Sequence, residues 1–226
     1  MIDMHTHILP GIDDGPTKME ESINIVEMAI REGLEAIVFT PHIREEKDWE
    51  KAQKIQDVFC ELITECESRK YSINMVLGAE ILIIPFLAER LKDNESMIIK
   101  GKRQYVLIEF PFGFLPIYTD QVLFDLVAVD VIPIIAHPER YLYLNGKENL
   151  LAKWGDNGAM YQLNLGSLYG MYGRKVKSFG KKMLTKGFID FLGSDTHSLY
   201  YNNFSLEKAF HLASKLAKKN YFETGI

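Results

Sequence analysis

Apolar residues along the 226-residue chain recur with two alternating periods. Over positions 19–32, Met19, Ile23, Val26 and Ile30 stand at steps of four, three and four. That spacing puts them on one stripe of an amphipathic helix. Comparable patterns predict helices over 49–70, 85–92, 120–129, 148–154, 175–186 and 206–219. Between them lie short runs, most of them rich in Val, Ile, Phe or Tyr, at 2–5, 36–40, 73–77, 105–110, 131–136, 160–163 and 188–192, which predict strands. Gly33, Gly155 and Gly187 sit where helices are expected to end.

Seven strands alternating with helices imply a parallel sheet. The run Val131-Ile132-Pro133-Ile134-Ile135-Ala136 is apolar throughout, as a strand buried on both faces is. The expected fold class is α/β, a closed or nearly closed TIM-like (β/α) barrel of seven units. An open doubly wound sheet is the competing arrangement.

Composition narrows the setting. A hydrophobic content of 47% supports one sizeable core, and one domain over 1–226 is expected. The formal charge of −5, with no long run of one sign, gives no basic surface for broad nucleic-acid binding. Cys60 and Cys66 lie six apart, on different faces of a helix, so a disulfide framework is not expected and a reducing cytoplasm is the natural setting. The first residues carry no signal-peptide pattern, and no apolar run approaches the roughly 20 residues that span a bilayer. No membrane insertion is expected.

The chemistry lies at the strand ends. The first strand ends in His5-Thr6-His7, the second in Thr40-Pro41-His42 and the third in Gly78-Ala79-Glu80. Glu109 closes the fourth, and His137-Pro138-Glu139-Arg140 follows the fifth. The sixth carries Gln162 and Asn164, and the seventh leads into Asp195-Thr196-His197. In a parallel barrel these ends share the face on which such enzymes build active sites. Five of the six histidines therefore converge, and His211 is left on the last helix as a structural residue. Imidazoles with carboxylates suit Mn, Fe, Zn or Ni. Glu80 can bridge two ions through its two oxygens. Glu109 lies in an otherwise apolar run, and a buried carboxylate needs a partner, for which a metal serves. Asp13-Asp14-Gly15 reads equally as a turn and as a ligand; one aspartate can ligate while the other serves the turn. Arg140 reads equally as a phosphate-binding guanidinium and as a surface ion pair. The apolar segment 110–116 and the pair Tyr200-Tyr201 are candidates for an aromatic substrate pocket, with core packing the alternative for most of them. No P-loop, Gly-x-Ser-x-Gly elbow or Cys-x5-Arg loop is present, so metal-activated water is the remaining candidate nucleophile.

Taken together, His5-Thr6-His7, His42, Glu80, His137 and Asp195-Thr196-His197 resemble the motifs of the PHP (polymerase and histidinol phosphatase) superfamily. The stretches 3–16, 106–111 and 136–141 are similar to the bacterial capsular-polysaccharide tyrosine phosphatases of the CpsB/CapC type. The resemblance runs from residue 1 to about residue 197. It implies a distorted seven-stranded barrel of the PHP type holding three divalent ions, commonly Mn²⁺, with Mg²⁺ a further option. Under it His5, His7, Glu80 and Asp195 hold one ion, Glu80, Glu109 and His137 a second, and Asp14, His42 and His197 the third. Arg140 then contacts phosphate. The implied substrate is phosphotyrosine on the tail of an autophosphorylating bacterial tyrosine kinase that controls polysaccharide export. Positions 198–209 hold no arginine, where family members often carry one.

The expected reaction is in-line hydrolysis of a phosphoester, with Arg140 stabilising the developing charge and His42 or His197 available to protonate the leaving phenolate. The competing functions are a PHP phosphoesterase for a small metabolite such as histidinol phosphate, a metal-dependent amidohydrolase, and a metal-stabilised regulatory module without activity.

Overall fold

The computed structural model describes residues 1–199 and 204–218. The strands are β1 (Ile2–Thr6), β2 (Ala36–Phe39), β3 (His42–Ile43), β4 (Asn74–Leu77), β5 (Glu80–Leu82), β6 (Ile99–Lys100), β7 (Gln104–Glu109), β8 (Val131–Ala136), β9 (Met160–Asn164) and β10 (Phe191–Gly193). The helices are α1 (Met19–Arg31), α2 (Glu46–Trp49), α3 (Ala52–Ser68), α4 (Leu87–Lys92), α5 (Thr119–Ala128), α6 (Glu148–Asp156), α7 (Leu165–Tyr169), α8 (Arg174–Thr185) and α9 (Leu206–Ala217).

Two predicted strands are each cut in two. Pro41, which has no N–H to give a ladder, separates β2 from β3, and Gly78-Ala79 separates β4 from β5. A Cβ on Gly78 would lie 2.3 Å from Cγ1 of Ile99, so the glycine admits β6 against the wall. The lower halves form a sheet in the order β1-β2-β4, and the upper halves continue as β3-β5-β7-β8-β9-β10, all parallel. Among the described residues only β6 is antiparallel, a hairpin on β7. β10 meets β1 through a parallel bridge between Thr6 and Thr196, with Asp195 N–H donating to His5 O at 2.8 Å and His7 N–H to Thr196 O at 2.9 Å. Seven strand positions thus follow one another around a distorted (β/α) barrel, and the doubly wound alternative is set aside.

The strands face apolar packing on both sides, as their continuous hydrophobicity predicted. Tyr105 and Leu107 of β7 join Ile132, Ile134 and Ala136 of β8, Met4, Val38 and Ile99 in an inner cluster. Val106 and Ile108 belong to the larger outer cluster, which also holds Ile23 and Val26 of α1, Leu126 of α5 and Phe179 of α8. Burying a side chain of that size is worth roughly 1.5–3 kcal/mol. The pairing register of β1 shifts between Asp3 and Thr6, a bulge that re-aims the strand where it reaches His5.

Helix ends differ from expectation in α6 and in the predicted helix at 49–70. Gly33 and Gly187 take left-handed φ values of 83° and 76° after α1 and α8, but Gly155 lies inside α6, and Gly158 (φ 97°) makes the left-handed turn instead. The predicted helix at 49–70 is broken at Glu50–Lys51 into α2 and α3. Cys60 is exposed and Cys66 buried, and both are free thiols. Among the described residues, no helix is long and apolar enough to cross a membrane. Tyr200 and Tyr201 lie outside the described residues.

Candidate metal centre

One rim of the barrel, including the points where the wall resumes at β3 and β5, brings all nine predicted ligands into one cluster. His5 Nε2 and His7 Nε2 face each other at 2.8 Å. Glu80 Oε2 lies 3.4 and 3.3 Å from these two nitrogens, and Asp195 Oδ1 lies 3.7 and 3.4 Å from them. Glu80 Oε1 is 2.9 Å from His137 Nε2, while its Oε2 is 2.8 Å from His42 Nδ1. Asp14, 60% exposed at the rim, places Oδ1 3.5 Å from His42 Nε2 and 3.2 Å from His197 Nε2.

The grouping is finer than the resemblance implied. Donor atoms within 4.8 Å of one another form the groups His5-His7-Asp195, His5-Glu80-His137, His42-Glu80-Glu109 and His7-Asp14-His42-His197. Glu109 and His137 do not share a group, because the Glu109 carboxylate is turned to Arg44, whose Nε and Nη2 donate to Oε2 and Oε1 at 2.9 and 3.2 Å. The buried carboxylate's partner here is therefore an arginine that the sequence had not singled out.

A second layer of hydrogen bonds fixes the rings. His137 N–H donates to Gln162 Oε1 at 3.2 Å, which orients the amide, and the same oxygen lies 3.0 Å from His5 Nδ1. Asp13 Oδ2 lies 3.0 Å from His7 Nδ1 and accepts from His42 N–H at 3.1 Å, while Oδ1 accepts from Gly15 N–H. With the Nδ1 hydrogens of His5 and His7 directed to these oxygens, both rings offer Nε2 lone pairs to one point, an arrangement typical of metal-ligating histidines. Asp195 Oδ2 accepts from Asn164 Nδ2 and Arg140 Nη1, both at 2.9 Å. His137 and Asp195 hold left-handed φ values of 32° and 56°, an uncommon conformation for non-glycine residues that gathers at functional sites.

The electrostatics demand positive charge. Asp14, Glu80, Glu109 and Asp195 line a cavity of about 300 Å³ that also exposes Arg44, Arg140, His42, His137 and His197. Four carboxylates thus face two permanently charged arginines. Burial opposes charge on His7, yet the Asp13 hydrogen bond, with Glu80 and Asp195, overcomes it and raises the ring to about 10. Burial also opposes ionisation of Glu80, but His5, His137 and His42 hold its carboxyl well below the usual range. Burial lowers His137 to about 4, keeping it neutral, and raises Glu109, with Glu80 adding to the effect. Buried His42 Nδ1, His137 Nδ1 and Glu80 Oε2 have no hydrogen bond of acceptable geometry. Convergent ring nitrogens and carboxylate oxygens, with a His7 proton that a cation would displace, fit divalent cations, and the mixed imidazole–carboxylate donor set suits Mn, Fe, Zn or Ni.

Arg140 lies between rings, its Cζ 4.9 Å from the centroid of Phe112 and 4.3 Å from that of Tyr172. Segment 110–116 divides its roles: Phe110 is core, whereas Phe112 is 51% exposed beside Arg140 and His137. A larger cleft of about 660 Å³ at the opposite barrel end, lined by Leu34, Cys66, Tyr71 and Met75 among others, has no comparable donor cluster. Residues important here but not predicted as site residues are Asp13, Gln162, Arg44 and Tyr172. Arg44 and Gln162 have no signal in the sequence beyond proximity to a strand end, Asp13 has its turn, and Tyr172, past α7, has none.

Fold and centre together define a (β/α) barrel of the PHP type with a cluster of side chains able to hold metal ions on one face. A family model described as "Capsular polysaccharide synthesis, CpsB/CapC" matches residues 1–225, and the chain belongs to this family. It is 35% identical to CapC of Staphylococcus aureus over 211 residues, covering 93% of this chain and 82% of that protein. A crystal structure from work on YwqE of Bacillus subtilis and CpsB of Streptococcus pneumoniae, described as unique metal-dependent tyrosine phosphatases, superposes with a TM-score of 0.85 at 31% identity, covering 95% of this chain and 87% of the other. Histidinol phosphate phosphatase of Lactococcus lactis, solved with zinc, L-histidinol and phosphate, shares the fold at a TM-score of 0.58 and 16% identity, over 96% and 92% of the two chains.

Proposed function

We propose that this chain is a metal-dependent protein-tyrosine phosphatase of capsular or extracellular polysaccharide synthesis. The observation that carries the proposal is the placement of Arg140, held by Asp195 and flanked by Phe112 and Tyr172, beside nine convergent metal-ligand candidates. Family membership and the 31% identity to a structure described as a metal-dependent tyrosine phosphatase support it. The proposed substrate is the phosphotyrosine tail of a cytoplasmic, autophosphorylating tyrosine kinase.

His5, His7, Asp14, His42, Glu80, Glu109, His137, Asp195 and His197 are the proposed ligands of three divalent ions, Mn²⁺ foremost. Such ions, when bound, lower the pKa of water and neutralise phosphoryl charge. The chain's own groups do the rest. Glu80 stays ionised and offers one oxygen to each side of the cluster. Asp13 and Gln162 keep the His7 and His5 lone pairs directed inward. Arg140 binds phosphoryl oxygens and stabilises the charge that grows on them. Whichever of His42 and His197, at the rim with Asp14, is not committed to a cation is the candidate proton donor to the leaving phenolate. A phenol of pKa near 10 leaves with modest help, so neither need be a strong acid.

The test is a panel of phosphotyrosine peptide, simple aryl phosphate and histidinol phosphate, assayed on chelator-stripped protein with and without Mn²⁺. Cleavage of the first two, restored by metal, is expected. No phosphoester cleaved with any divalent ion would sink the proposal, and preference for histidinol phosphate would move it to the metabolite reading. Arg140→Ala should lower kcat/KM by roughly 10²-fold with bound metal near normal; loss of metal in that variant would make Arg140 structural.

A further inference from the structure

Arg44 is the second guanidinium facing the cavity, and nothing so far gives it a role beyond pairing with Glu109. Its main chain is anchored: Arg44 N–H and Glu45 N–H both donate to Asp48 Oδ2, at 3.0 and 2.9 Å. Its side chain, by contrast, is 41% exposed and reaches into the pocket. Strand order places it. β3 pairs with β5, β5 with β7 and β7 with β8, so Arg44 past the end of β3 and Arg140 past the end of β8 stand on either side of Glu80 and Glu109. The fork that grips both Glu109 oxygens has the planar two-bond geometry that also grips two phosphoryl oxygens.

We propose that Arg44 is a second substrate-binding residue, contacting the phosphoryl group of an aryl phosphomonoester from the side opposite Arg140. This rests on the phosphatase reading above. Charge favours it. A phosphate monoester dianion entering beside four carboxylates needs every fixed cation the walls offer, and Arg140 already shares its charge with Asp195. Positions 198–209 hold no arginine, and Arg44 and Arg140 are the two arginines among the described cavity residues. Glu109 occupies only the Nε–Nη2 edge of the guanidinium; of its five N–H donors, those of the Nη1–Nη2 edge are left for phosphoryl oxygens, so a role with Glu109 and a role with phosphate are compatible.

The test compares metal-loaded wild type, Arg44→Ala and Arg44→Lys by calorimetric binding of inorganic phosphate, KM for a phosphotyrosine peptide, and bound metal per chain by mass spectrometry. In Arg44→Ala, phosphate binding should weaken by about tenfold or more, as expected for losing a charged hydrogen-bonding pair, and KM should rise. Metal per chain should match wild type, and Arg44→Lys should recover part of the binding through its charge alone. Phosphate affinity within about twofold of wild type overturns the proposal. So does loss of metal in step with loss of phosphate binding, which would make Arg44 only a positioning residue for Glu109. Should Arg44→Ala fail to fold, Arg44→Gln is judged by the same criteria. A wild type that binds phosphate but cleaves no phosphoester would sink the phosphatase reading and leave the Arg44 result interpretable.

Discussion

At the scale of single residues, Glu139 ties the stability of the fold to pH although it is fully buried. Its Oε1 accepts from Ser167 Oγ at 2.6 Å and from Asn164 N–H at 3.1 Å, while Oε2 has no partner. Burial pushes the carboxyl up from 4.5 to about 7, against the opposing hydrogen bonds. The folded state therefore holds this proton more tightly than the unfolded chain. Below pH 4.5 both states are protonated and no penalty exists. As pH rises towards 7 the unfolded state ionises first and stability falls, and above 7 the penalty is complete. Its limit is about 3 kcal/mol, from 1.36 kcal/mol per pKa unit. Glu139→Gln removes this titration. In metal-stripped protein, the variant's stability relative to wild type should therefore improve between pH 4.5 and pH 8; parallel curves from denaturant melts would refute the assignment. Asp13 and Asp14 show how much of such detail a sequence carries. Asp13 serves the turn, and Asp14 stands with His7, His42 and His197 in a group that could hold a metal ion. What stayed hidden is that Asp13 also orients His7 and holds His42 N–H, contacts 6 and 29 residues away that no local pattern encodes.

At the scale of elements, hydrophobic periodicity located seven strand positions and the longer helices between them, but not the short α2 and α7, because burial on both faces leaves a continuous apolar record that a helix of four or five residues does not. The breaks after Phe39 and Leu77 left a weaker trace. Pro41 and Gly78 are each compatible with a simple strand end, and only the packing of Ile99 against Gly78 shows why the wall resumes beyond. Gly193 has the same kind of meaning. A Cβ there would lie 2.6 Å from His5 Cβ and 2.6 Å from Gln162 Nε2, so β10 can approach β1 and β9 only without a side chain. Gly193→Ala should cost about 1–3 kcal/mol as an overpacked site. Because the clash falls on a ligand and on the amide that orients it, bound metal per chain should fall as well. Thermal melts paired with metal analysis check both, and unchanged metal content would show that the strands can separate without disturbing His5.

At the scale of the whole molecule, the barrel closes where it is most charged. The β10–β1 junction carries Asp195 and His5 in its own hydrogen bonds, so the last seam of the ring and the cation cluster are one structure. Ions bound there join groups from β1, β3, β5, β7 and the loops after β8 and β10, and should stabilise the fold by mass action. One site at a hundredfold excess over its Kd is worth about 2.7 kcal/mol, or roughly 5–10 °C in Tm for a chain of this size. The direction with pH follows from His7. Without a cation its folded-state pKa is about 10, raised above the ordinary value, so its proton stabilises the fold fully below about 6.5 and is lost as pH rises through 10. A divalent ion must displace that proton, so its affinity weakens in acid. The rise in Tm on adding Mn²⁺ to stripped protein should consequently be larger at pH 8 than at pH 6, with protons released on binding, as calorimetry in buffers of different ionisation enthalpy would read. An equal shift at both pH values would mean that His7 is already deprotonated in the stripped protein, and that the four carboxylates are balanced in some way other than by this ring.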